Sequence, residues 1–249
     1  MPGKNVFSSP YKAARIFCLA QLMVLCLTFS VFAQSDKDPG YLSVYNKAIY
    51  DSAVYEFSDL RPLLPLKFDP ATKTATVATL TSYNYQMGTT TLSRDVWVSG
   101  YPEVQNICKT YPKDELEMSL RQLLGLSPAS MFTSFVTFEV KSADVFRPTT
   151  NPDTQSTMPC ACPITPTCGE AFPAGVSDTH VKWIANQMLS SYVITESTLI
   201  PVGYPWTRLG YTYNWRPGAN KYGASEYVIR SGSTVQVTAI TPYTTYCGQ

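Results

Sequence analysis

The chain has 249 residues, of which 45% are hydrophobic, 13% aromatic and 15% charged, with a net charge of +1. The low charge and the aromatic content exclude an intrinsically disordered chain, which needs the opposite composition. The near-neutral balance also lacks the basic excess that nucleic-acid binding requires, so we expect no nucleic-acid partner.

The N-terminal segment has the pattern of a secretory signal peptide. Three basic residues precede a nearly uninterrupted apolar run over 16–32, and Ala33 supplies the small residue that a signal peptidase requires. We expect cleavage after Ala33, because this run is at the short edge for a membrane-spanning helix, the alternative interpretation. Removing residues 1–33 takes three of the 19 basic residues and none of the 18 acidic ones, which leaves a net charge of −2. The mature chain is then expected in the periplasm or outside the cell, without a membrane span.

Strand and helix patterns alternate along the rest of the chain. Six segments are dominated by residues that favour strands, and three others repeat apolar residues with the period of a half-buried helix. The segment 41–57 fits either a strand or a short helix. Together these patterns predict a single α+β domain over 34–249, with a mostly antiparallel sheet and about three helices packed on it. The predicted strands are 73–85, 94–99, 132–140, 209–215, 226–230 and 234–240, and the predicted helices are 102–111, 113–124 and 178–192.

The segment 147–176 differs in composition from the rest of the domain. It contains six prolines and three cysteines. A loop of this length is unusual in a compact domain unless it is tethered or functional. We therefore expect a long Cys/Pro-rich loop that disulfide bonds hold to the domain.

Five cysteines remain after cleavage: Cys108, Cys160, Cys162, Cys168 and Cys247. In an oxidising compartment they are expected to form disulfides, and the odd number leaves one free or paired between molecules. Cys160 and Cys162 are too close in sequence to bond to each other, so we expect them to reach Cys108, Cys168 or Cys247. A zinc site formed by the loop cysteines and His180 is the alternative. Export argues against it, and we expect neither a metal nor a cofactor.

The chain contains one histidine, His180, on which any Ser-His-Asp or Cys-His mechanism would depend. It falls in the first turn of the third predicted helix, where the helix dipole favours a neutral imidazole. The Gly-x-Ser-x-Gly motif of many hydrolases is absent from the sequence. We interpret His180 as a helix-start residue with a local hydrogen bond, and a catalytic role is the alternative.

The segment 203–215 combines five aromatic residues with an arginine. Alternate aromatic residues in its second half would share one face of a strand, which we assign to the core. Tyr204, Trp206 and Arg208 are then the better candidates for an exposed binding surface, because aromatic rings and a guanidinium group both recognise sugars and peptides.

The segment 224–237, Ala-Ser-Glu-Tyr-Val-Ile-Arg-Ser-Gly-Ser-Thr-Val-Gln-Val, resembles the last catalytic strand of ADP-ribosyltransferase-type domains. In that family a glutamate at the start of the strand binds the nicotinamide ribose, so the resemblance implies that Glu226 is the catalytic residue. Ala224 stands where many members carry a second acidic or amide residue. From the residues alone, the alternative is an exposed glutamate at a strand edge.

Two functions follow from these patterns. The first is an exported, soluble, non-catalytic binding protein of the bacterial envelope or exterior, whose partner is a glycan or a protein. The alternative is an exported enzyme with Glu226 as its catalytic carboxylate, either ADP-ribosyltransferase-like or acting on glycans, with Arg208 at the same site. A concave pocket that holds Glu226 beside an arginine and several hydroxyl groups would favour the enzyme.

Overall fold

Seven strands form the main sheet of the protein. A computed structural model describes residues 39–159, 171–194 and 203–249. The order in the main sheet is β2-β9-β4-β1-β3-β8-β5, its neighbouring strands are antiparallel, and β6 and β7 form a second, two-stranded sheet. The strands are β1 (Thr74–Thr81), β2 (Gly88–Thr91), β3 (Val96–Gly100), β4 (Ser134–Lys141), β5 (Val145–Phe146), β6 (Tyr211–Tyr213), β7 (Tyr222–Ser225), β8 (Tyr227–Ile229) and β9 (Thr234–Pro242).

Five α-helices accompany the sheets in the described part of the chain, which confirms the predicted α+β class. Three of them match the predicted helices; the middle one buries an apolar face with Leu116, Leu120 and Leu123, whereas α4 buries only Ile184 of its apolar residues. The first helix occupies the segment that fitted either a strand or a short helix. The helices are α1 (Pro39–Ala53), α2 (Glu103–Cys108), α3 (Leu116–Leu123), α4 (Asp178–Ser191) and α5 (Tyr243–Tyr246).

The two faces of the main sheet contribute to different apolar clusters, because side chains alternate along a strand. Val77 of β1 and Phe138 of β4 are paired neighbours and belong to the cluster on one face. Leu80 and Phe135, also paired, lie on the other face. There they pack in a cluster with residues of α2, α3 and α5. This helix-covered face is the one that bears the candidate site.

A disulfide bond joins Cys108, at the end of α2, to Cys247, directly after α5. Both cysteines are fully buried in the cluster under the helices. The expectation that Cys160 or Cys162 reaches either of them is therefore wrong, because the ends of α2 and α5 meet on the same face of the sheet and their cysteines bond to each other. The three loop cysteines, including Cys168, lie outside the described residues.

The described parts of the segment 147–176 contain turns and bends. Arg147 is fully buried and anchors this segment, since its guanidinium group donates to the carbonyl oxygens of Thr154, Ser156 and Leu64 and to the hydroxyl of Tyr227. A buried arginine with several acceptors can thus hold a loop without a covalent bond. Whether disulfides also tether the loop stays a prediction.

None of the helices in the described ranges is both long and apolar enough to cross a bilayer. The predicted signal peptide, residues 1–33, lies outside the described residues. The described residues from 39 onward form one compact unit.

Candidate functional site

A cavity of about 310 Å³ opens on the helix-covered face of the main sheet. Its walls come from β1, β3, α2 and the segment that follows α3, and they are mostly apolar. Small-molecule sites are usually concave, apolar and furnished with a few polar groups, and this volume is near the lower end of their range. The apolar wall residues include Ala78, Leu80, Val104, Leu124, Leu126 and Phe135.

Glu226 lies at the buried end of this cavity, between β7 and β8. Its backbone is fixed beside β6, because the Glu226 amide donates to the carbonyl oxygen of Gly210 at 3.0 Å. Only 8% of the residue is exposed, and its Oε2 atom is buried without a hydrogen-bond partner among the described residues. Burial raises the pKa of Glu226 to about 8. The expectation of an exposed glutamate at a strand edge is therefore wrong.

Six hydroxyl-bearing residues line the cavity, and two of them, Ser99 and Thr212, belong to strands that flank Glu226. The antiparallel register of β3 and β8 pairs Val98 with Tyr227, and the same register continued by one residue sets Ser99 opposite Glu226. The hydroxyl of Thr212, in β6, already has hydrogen-bond partners, since it donates to the carbonyl of Leu123 and accepts from the amide of Ala224. Ser99 is thus the hydroxyl nearest in register to the carboxyl group.

The outer end of the cavity is aromatic and cationic. Tyr83 is 56% exposed, and the guanidinium group of the exposed Arg94 lies 5.5 Å from the centre of its ring. The neighbouring Asp95 is engaged elsewhere, because its carboxylate accepts from the indole of Trp183 at 2.6 Å and from the amide of Ser231 at 2.7 Å. The cavity therefore runs from a cation at the surface to a carboxyl group in the interior.

Trp97 of β3 forms a rigid side wall. It is half-buried, and its ring contacts those of Trp183, Tyr204 and Trp206 with centroid distances of 5.5–6.0 Å. The predicted exposed surface is corrected here: Trp206 is only 1% exposed and Tyr204 is half-buried. Both residues lie behind the wall of the cavity instead of forming a surface of their own.

Arg208 is also buried, so it does not belong to an exposed surface. Its guanidinium group donates to the carbonyl of Ala53 at 2.7 Å, and it lies 5.7 Å from the centre of the Tyr192 ring. The backbone of Arg208 has a positive φ of 59°, a conformation that residues other than glycine rarely adopt. Arg208 is absent from the lining of the cavity, and the arginine that accompanies Glu226 there is Arg94.

His180 is buried in the first turn of α4, and Ser177 caps that helix as predicted. The imidazole does not make a local hydrogen bond: its Nε2 lies 2.7 Å from the carbonyl oxygen of Thr149, 31 residues away. Burial lowers the pKa of His180, which keeps the ring neutral. The ring stacks on Trp183 and lies outside the cavity lining, so its observed contacts connect α4 to the segment after β5.

Sequence reasoning missed the residues of β3 and of the turn before it. The predicted strand over 94–99 covered Arg94, Trp97 and Ser99, but no site was assigned to it. One signal was present: Trp97 and Ser99 alternate with Val96 and Val98, so the strand places an aromatic and a hydroxyl side chain on one face.

Comparison with known proteins identifies no relative of this chain. No family model, no curated protein and no solved structure matches it. The geometry of the cavity is therefore the main guide to the function of the protein.

Proposed function

We propose that this protein is an exported binding protein that holds a small organic ligand in the cavity, with Glu226 as its polar anchor. The observation that carries the proposal is the buried Oε2 atom of Glu226, which lacks a partner in a cavity otherwise lined mostly by apolar groups. A buried acceptor without a donor is costly in a folded protein. Such a group is retained where a ligand supplies the missing hydrogen bond.

The expected signal peptide and the observed disulfide support the exported location. Disulfides such as Cys108–Cys247 form and persist in oxidising compartments and are rare in the cytosol. The concave site favours a small molecule, or one sugar-sized unit of a glycan, over a protein partner, since protein interfaces are broad and flat by comparison.

The first test is binding of a neutral single-ring probe, benzyl alcohol, followed by nuclear magnetic resonance. We expect millimolar binding that Leu124→Trp abolishes, because an indole at this half-buried wall position fills the cavity. The matched control is Leu189→Trp, the same change at a leucine of α4 that is 78% exposed. This control should bind like the original protein. Binding that survives Leu124→Trp in a folded variant, or no binding by the original protein, contradicts the proposal.

A second candidate function is an enzyme in which Glu226 donates a proton. Two observations favour it: hydroxyl-bearing residues line the same cavity as Glu226, and a pKa of about 8 keeps the carboxyl protonated at neutral pH. The arginine in that lining is Arg94, however, and a cavity of about 310 Å³ suits one ring better than a dinucleotide. Release of nicotinamide from NAD, or of 4-nitrophenol from its glycosides, would support the enzyme only if Glu226→Gln abolishes it.

A further inference from the structure

We infer that the ligand is a zwitterion of about one ring in size, with a basic nitrogen bound to Glu226, a flat apolar body against Trp97 and an acidic group at Arg94. The inference depends on the proposed function, because it names the class of molecule that the same cavity would hold. Its basis is the opposite character of the two ends of the cavity.

The inner end offers an acceptor and lacks a cation. Burial alone raises the pKa of the Glu226 carboxyl group, and no lysine or arginine of the described residues contributes to this change. Ser99 adds a second oxygen on the same face of the sheet. A protonated amine satisfies both oxygens, and a hydrogen bond between two charged groups is stronger than one between neutral groups.

The ionisation of Glu226 does not prevent such a pair. Because the pKa of Glu226 is about 8, its carboxyl group must lose a proton to form the pair at pH 7, and this reduces the affinity for the amine about tenfold. Hydrogen bonds to charged groups contribute roughly ten- to a hundredfold. The carboxyl group of Glu226 already loses its hydration when the protein folds. Binding therefore requires the removal of water from the ligand alone.

The middle of the cavity fits a flat ring. Trp97 is fixed from behind by three aromatic side chains, and most of the other apolar wall residues are aliphatic. An aromatic wall that cannot move away favours stacking or edge contacts with a planar ligand.

The outer end offers a cation, Arg94, that has no acidic partner among the described residues. Its guanidinium group lies over the ring of Tyr83. The carboxylate of Asp95 is occupied by Trp183 and by the backbone. The planar guanidinium group binds a carboxylate through two parallel hydrogen bonds. The two charged groups of the ligand therefore belong at opposite ends of its ring.

The test uses four probes that share one ring: benzyl alcohol, benzylamine, benzoate and 4-(aminomethyl)benzoate. Their affinities are measured by calorimetry at pH 7 with the full chain and with two variants, Glu226→Gln and Arg94→Gln. The matched controls are Glu139→Gln, an exposed glutamate of β4, and Arg61→Gln, an arginine that packs on Tyr222 outside the cavity.

We expect 4-(aminomethyl)benzoate to bind at least tenfold more tightly than benzyl alcohol. Glu226→Gln should weaken the two amines at least tenfold and leave benzoate unchanged. Arg94→Gln should weaken the two carboxylates about threefold to tenfold, a smaller effect because Arg94 is exposed. The control variants should bind all four probes like the original protein.

The outcomes separate the two proposals. If benzyl alcohol binds in the cavity and the charged probes bind no more tightly, the zwitterion is wrong and the binding function stands. If none of the four probes binds, the proposed function itself is wrong. Loss of amine affinity in Glu139→Gln would also contradict the inference, since the effect would then come from net charge.

Discussion

Glu226 shows most directly how burial and function are connected. A carboxyl group at the inner end of an apolar cavity loses hydration, and burial raises the pKa of Glu226 to about 8. Within the described part of the chain, neither a donor to Oε2 nor a cation offsets this loss. Most buried polar groups in folded proteins are paired, and an unpaired one lowers the stability of the folded state.

The first prediction concerns the pH dependence of stability. Between pH 4.5 and about 8, folded Glu226 holds a proton that the unfolded chain has lost, so the free energy of unfolding should fall as the pH rises through this range. Each pKa unit corresponds to about 1.36 kcal/mol, so the total loss is on the order of 5 kcal/mol. Glu226→Gln carries no titrating proton and should lack this slope.

The measurement is urea unfolding of the original protein and of Glu226→Gln at several values of pH from 5 to 9. The two proteins should be similar in stability at pH 5, and the glutamine variant should be the more stable at pH 9. Glu103, whose pKa burial also raises, contributes to the slope in both proteins and cancels in the difference. Equal slopes in the two proteins would show that Glu226 is hydrated.

At the scale of elements, the periodicity of the sequence predicted those helices and strands whose apolar residues share one face. The helices α2, α3 and α4 have amphipathic patterns, so their positions were predictable from the chain. The pattern of α1 was ambiguous because its buried face includes a tyrosine and an isoleucine, which also favour strands. The strands β2, β5 and β7 were missed, since β5 has only two residues and β2 and β7 contain a glycine, which is disfavoured in strands.

The candidate site was less predictable than the fold. Glu226 was named from the residues around it, but the cavity in which it lies also needs β3 and α2, which are far away in sequence. Tyr204, Trp206 and Arg208 were expected at the surface because aromatic residues near an arginine often recognise ligands there. They are buried because α4 and β3 cover them, and such a contact between distant elements leaves no local pattern.

The second prediction concerns the small sheet of β6 and β7, which positions Thr212 in the cavity. A Cβ atom added at Gly223 would lie 2.1 Å from the hydroxyl of Thr212 and 2.3 Å from the carbonyl of Leu123. The backbone must therefore shift, and Gly223→Ala should lower the free energy of unfolding by about 2–4 kcal/mol. It should also weaken binding of benzyl alcohol.

Gly100→Ala is the matched control for this change. Its new Cβ atom would meet Leu66 at 3.7 Å and Tyr227 at 3.8 Å, which are ordinary contact distances. We expect its free energy of unfolding to remain within about 1 kcal/mol of that of the original protein. Equal losses in the two variants, measured by urea unfolding, would show that the close approach at Gly223 is not what matters.

At the scale of the whole molecule, the Cys108–Cys247 disulfide joins residues 139 positions apart. It fixes the end of the chain against α2, the helix that contributes Val104 to the cavity wall. A cross-link that closes so long a loop restricts the unfolded chain strongly in the chain-entropy model.

The third prediction follows from this loop length. Replacing both cysteines with alanine should lower the free energy of unfolding by about 4–5 kcal/mol, as the chain-entropy model gives for loops of more than a hundred residues. The single variant Cys108→Ala should lose at least as much, because it leaves a lone thiol. Denaturant unfolding of both variants gives the values. A double variant as stable as the original protein would mean that packing alone holds the chain end.

The positions of the tryptophans make the intrinsic fluorescence of the protein a probe of the cavity. Three of the four tryptophans, Trp97, Trp183 and Trp206, contact one another beside the cavity, and Trp215 packs elsewhere on Tyr41 and Tyr45. Ultraviolet emission from the unlabelled protein therefore originates mainly beside the place where a ligand would sit. Occupancy can be followed by titration in a fluorimeter, without a dye and before the ligand has been identified.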